Sequence, residues 1–85
     1  MPPNRHTITG HAFEVFAVCE DDEARQIILA IEMLWGDPSR RPQHYGRDSD
    51  GCMIPWIEAG RLLVGYFVKH SAKHVFILEI QRLAF

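Results

Sequence analysis

Arg61, Lys69, His70 and Arg82 are the side chains of this sequence best suited to hold or protonate an anion, and all four fall in its last third, Ile54 to Phe85. A guanidinium offers a planar fork that meets two oxyanion oxygens at once, and an ammonium offers a mobile point charge. An imidazole with an unperturbed pKa near 6.5 gives or takes a proton at neutral pH, which makes His70 the candidate acid or base. Tyr66 stands between Val64 and Val68 and reads as a core aromatic rather than a reacting group. His70 and His74 have an H-x3-H spacing, but they bracket a predicted turn at Ser71-Ala72-Lys73 and no further ligand is placed by pattern. No metal and no cofactor are therefore expected.

These residues sit on three predicted antiparallel strands, IPWIEAG, RLLVGYFVKH and HVFILEIQRLAF. Pro55 cannot donate to a ladder, which makes Met53 to Glu58 an expected edge strand. In the middle strand Leu62, Val64, Tyr66 and Val68 alternate with Arg61, Leu63, Gly65, Phe67 and Lys69, so Arg61 and Lys69 share one face. Gly65 between them leaves room for a close approach by a backbone or ligand. In the last strand Phe76, Leu78 and Ile80 are expected on the core face, while Val75, Ile77, Glu79 and Gln81 form the opposite face, which turns polar and exposed towards its end with Glu79 and Gln81.

Upstream, Glu20-Asp21-Asp22-Glu23 precedes Ala24, Ile27, Ile28, Ile31, Leu34 and Trp35, the three-and-four spacing of a helix face. The acidic run is read as the helix start, with Asp21 or Asp22 accepting from free N–H groups, rather than as a cation site. Gly36 and Pro38 end the helix. His11 to Val18 (HAFEVFAV) is nearly continuous in apolar character and reads as a strand. Met1 to Gly10 reads as a loosely held arm, and Ser39 to Cys52, with Arg40, Arg41, Arg47 and Tyr45, as a solvated surface loop. The expected fold class is α+β: an N-terminal strand and a three-strand meander, with one main amphipathic helix on one face.

The chain has 85 residues, enough for one domain, expected over residues 11–85 after a flexible arm 1–10. A core this small leans on self-association or a partner. Charged residues at 24% argue against a membrane span, and a net charge of −2 leaves only a local basic patch for nucleic acid. Cys19 and Cys52 form no CxxC, and no apolar run near Met1 resembles a signal peptide, so a cytoplasmic location is expected.

Three stretches together resemble the RelE/ParE superfamily of toxins from bacterial toxin–antitoxin pairs. The helix EARQIILAIEMLWGDP is similar to a family helix ending in an aliphatic, a spacer and Pro. IPWIEAGRLLVGYFV resembles its aromatic strand followed by Gly, Arg, aliphatics and Tyr, and HVFILEIQRLAF its terminal strand with a late basic residue. The likeness covers roughly Phe13 to Phe85. It implies an mRNA interferase acting at the ribosome, or a gyrase inhibitor in the ParE branch, neutralised by an antitoxin that wraps sheet and helix. A metal-independent ribonuclease must deprotonate a ribose 2′-OH, stabilise the phosphorane and protonate the leaving oxygen. Arg61 and Arg82 correspond to the family's phosphate-contacting positions, with Lys69 as a further substrate contact. Ribonuclease members place Tyr or His near the C-terminus where this chain has Phe85, which leaves His70 as the substitute acid or base. The contrasting expectation is a non-catalytic α+β interaction domain that pairs with a second copy or another protein through its sheet.

Overall fold

A computed structural model of the chain describes residues 5–36, 44–72 and 74–83. The elements are β1 (Arg5–Ile8), α1 (Gly10–Ala17), α2 (Asp21–Gly36), β2 (His44–Arg47), β3 (Met53–Ala59), β4 (Leu62–Lys69), a 3₁₀ turn (His70–Ala72) and β5 (His74–Arg82). They form an α+β fold with one five-stranded sheet in the order β1-β5-β4-β3-β2. β1 runs parallel to β5, and the other neighbours are antiparallel.

α2 follows the expected pattern except at Ile28, which was expected on the buried face and is exposed. Ile27, Ala30, Ile31 and Leu34 are buried against Ile57, Leu62, Val64, Tyr66, Val75 and Ile77 of the sheet. Each large aliphatic taken out of water there contributes about 1.5–3 kcal/mol. Its start differs in detail: Glu20 is the residue before the helix, and the Glu23 carboxylate accepts from the Glu20 N–H at 3.2 Å, the return half of a capping box. Gly36 is the last helical residue, while Pro38 lies outside the described residues.

Two N-terminal expectations are corrected. Part of the segment read as an arm is β1, which pairs Arg5↔His74 through Ile8↔Ile77. Trp35 locks it to α2, donating from Nε1 to the Arg5 carbonyl at 3.0 Å while its ring packs on His6. The segment read as a strand is α1. Its inward residues are Ala12, Val15 and Phe16, continuing to Cys19, a helical spacing, whereas Phe13 and Val18 are exposed. The described residues therefore form two α-helices where one main helix was expected.

Three sheet details also differ. The loop read over Ser39 to Cys52 contains β2, so β3 is an interior strand and Pro55 pairs with Tyr45. Proline is accommodated because the β3–β4 register begins at Trp56↔Gly65, one residue beyond it. Arg47 donates to the Gly51 carbonyl and Asp48 accepts from the N–H groups of Asp50 and Cys52, which closes the β2–β3 turn. Arg40 and Arg41 lie outside the described residues.

In β5 the register jumps from Gly65↔Glu79 to Tyr66↔Ile77, so Leu78 is a bulge. Thr9 fixes it, its hydroxyl donating to the Leu78 carbonyl at 3.1 Å. The bulge reverses the expected faces on its N-terminal side, where Val75 and Ile77 point into the helix-covered core and Phe76 to the open side, while Ile80 stays in the core as expected. Gly65 admits no ligand. A Cβ there would meet Ile54 and the Trp56 ring, and one at Gly46 would meet the Trp56 indole at 3.1 Å, so Trp56 lies across β2 to β4 on two glycines.

Candidate functional site

The hairpin between β3 and β4 positions Arg61. Ala59 pairs with Leu62, leaving a two-residue connection, Gly60-Arg61, in which Gly60 has a φ of 64° that favours glycine. The Arg61 carbonyl accepts from the Leu83 N–H at 2.8 Å, and Arg82 pairs with Leu62. β5 thus carries Arg82 to the hairpin, and both arginines line one groove of about 600 Å³ with Glu20, Asp22, Glu23 and Gln26 at the start of α2.

The groove is not simply basic. Arg82 donates from Nη1 to the Glu23 carboxylate, an ion pair that joins the end of β5 to the first turn of α2. The Arg82 bond first, then the Glu20 N–H, holds the Glu23 carboxyl below the usual carboxylate range, and the same bond pushes the Arg82 guanidinium up. An anion entering the groove competes with Glu23 for Arg82, whereas Arg61 lies exposed in its turn. Near the Glu23–Arg82 pair, the Cys19 thiol is pushed up by burial and then by the Glu23 charge, against the pull of Arg82.

Lys69 is at the other end. It closes β4 opposite His74, seven residues from Leu62, about 23 Å along an extended strand. His70 begins the 3₁₀ turn there; its side chain, like Phe85, lies outside the described residues. The structure therefore brings Arg61 and Arg82 together and separates them from Lys69 and the His70 backbone. One phosphate does not span both ends.

Glu79, expected on an exposed face, is only 3% exposed. The β2–β3 turn folds over it, the Ser49 N–H donating to Oε1 at 2.9 Å and the Gln81 amide to Oε2 at 2.6 Å, with His11 Nε2 3.7 Å away. Burial pushes this carboxyl up, but the Ser49 and Gln81 hydrogen bonds and His11 outweigh it, so its pKa stays below the ordinary value. Sequence reasoning also missed a row of rings on the open face. Phe67 and Phe76 pair across β4 and β5, and His74 stacks on Phe76 at 4.2 Å and 10°. The alternation of buried Val75 and Ile77 with His74 and Phe76 was the available signal.

No family model and no curated protein matches the sequence. A solved structure does match in three dimensions: a chain of the archaeal RelE–RelB complex from Pyrococcus horikoshii OT3, at a TM-score of 0.70 over 95% of this chain and 96% of that one, with 15% identity. The fold is RelE-like. At this identity the RelE-like fold carries no residue assignments, so the roles of Arg61, Arg82, Lys69 and His70 rest on their placement in this chain. Among the described residues, no helix is long and apolar enough to cross a membrane.

Proposed function

We propose that this chain is the toxin-like half of a toxin–antitoxin pair, held in the cytoplasm by an antitoxin protein. The observation that carries this reading is the end-to-end likeness to a chain from a RelE–RelB complex. A helix layer with Phe13, Leu29 and Met33 exposed supports it, because a partner gains by covering such side chains. The finer reading is an mRNA interferase or translation inhibitor acting on ribosome-bound mRNA. In it Arg61 and Arg82 hold phosphate in the groove and Lys69 contacts a more distant part of the same strand, while His70 serves as acid or base only for a phosphate bound at its own end of the sheet, not for the one in the arginine groove. The Glu23–Arg82 pair favours a second reading, a binding protein without catalysis, because it occupies one of the two guanidinium forks.

Induced expression in a bacterium tests both. The toxin reading expects growth arrest, relieved by Arg61→Ala with Arg82→Ala and by co-expression of an antitoxin encoded beside the gene. A soluble wild-type chain that leaves growth unchanged removes the toxin reading and leaves the binding one.

A further inference from the structure

The open sheet face at the Lys69 end is not accounted for by the arginine groove. In the registers β1–β5 and β5–β4, Arg5 lies opposite His74 and His74 opposite Lys69, while Thr7 lies opposite Phe76 and Phe76 opposite Phe67. Paired residues point to the same face of a sheet, so these six side chains form two adjoining rows. The Thr7 hydroxyl and His74 Nε2 lie 2.7 Å apart, which confirms the shared face and holds the imidazole in place. His6, one residue out of phase, packs instead on Trp35 in the helix layer.

One row is aromatic and the other basic. Phe67 is 51% exposed at mid-sheet, its ring centroid 6.3 Å from that of Phe76, on which His74 stacks. Arg5 and Lys69, both exposed, flank His74, and none of the six residues is acidic. An apolar ring left open on a sheet beside a row that carries two cations matches a polymer whose flat bases stack while its phosphates meet positive charge.

We infer that this face is a base-stacking platform for single-stranded nucleic acid, with Phe67 and Phe76 taking the bases and Arg5 and Lys69 the phosphates. It deepens the toxin reading by adding a ligand surface remote from the Arg61–Arg82 groove, but its test does not depend on toxicity. Phosphate attraction alone would make the face blind to the presence of bases. Stacking makes it prefer unpaired strands, because a duplex offers its base faces only at its ends.

The test is fluorescence anisotropy of the full chain with a labelled 12-nucleotide RNA, its abasic analogue and a 12-base-pair duplex. The wild type should bind the single strand more tightly than either control. Phe67→Ala, a change at an exposed position, should weaken single-strand binding about tenfold while leaving the abasic oligomer unaffected. Lys69→Glu should weaken both and flatten the salt dependence. Circular dichroism of each variant confirms the fold. Equal single-strand binding by wild type and Phe67→Ala, equal binding of single strand and duplex, or no binding by the wild type overturns the platform. No binding together with growth arrest overturns the platform and keeps the toxin reading; binding without arrest does the reverse.

Discussion

Glu79 holds the β2–β3 turn onto the sheet most strongly as a carboxylate. As a carboxylate it accepts from the Ser49 N–H and the Gln81 amide, and those bonds keep its folded pKa below the unfolded one. A depressed folded pKa contributes stability that is present above the unfolded value and lost as pH falls through the folded one. Glu79→Gln keeps the size but removes the charge and turns one acceptor into a donor facing the Gln81 amide. It should cost about 1–3 kcal/mol at pH 7. The gap between wild type and variant in urea midpoints should narrow as pH falls below the ordinary carboxylate range; a constant gap would mean that shape rather than charge holds the turn.

At the scale of elements, the sheet stands on one face of α2, and Ile31 lies at the centre of that face with 1% exposure. Ile31→Asp places an unpaired charge there and should cost on the order of 4 kcal/mol, most of the stability of so small a domain. Loss of the far-UV helical signal and of a cooperative melt would show it, and wild-type melting would mean that α2 packs elsewhere. α2 and the β3–β5 meander were legible because their signals are local: a 3.6-residue apolar period, and alternating runs separated by Gly60 and the Ser71 region. β1 was not, because Arg5 to Ile8 has one apolar residue and becomes a strand through its ladder with β5 and the grip of Trp35. α1 failed for another reason. HAFEVFAV is so uniformly apolar that its period is hidden, and eight residues fit either element until Ala12 finds the core. The site suffered from the same limits. Arg61 and Arg82, both singled out in the sequence, line one groove, but the bulge at Leu78 lies in no propensity scale, and it shifts the phase of β5 so that Phe76 faces outward.

For the whole molecule, the helix layer has one face on the sheet and another that still shows Phe13, Leu29 and Met33. Leu29 and Met33 are one helical turn apart on α2, so one apolar segment of a partner can cover both. Binding to the folded chain alone adds stability by mass action, about 2.7 kcal/mol at a partner concentration of 100 times Kd. For a domain of this size each kcal/mol is worth roughly 4–8 °C, so the proposed antitoxin should raise Tm by roughly 10–20 °C at that concentration. Leu29→Lys with Met33→Lys changes only exposed positions, so it should leave the Tm of the isolated chain nearly unchanged while removing much of the partner's increment. Differential scanning fluorimetry with and without antitoxin reads both quantities. A variant that retains the full increment would move the partner's contact off this face of α2 and onto the sheet, where it would compete with the ligand of the aromatic platform.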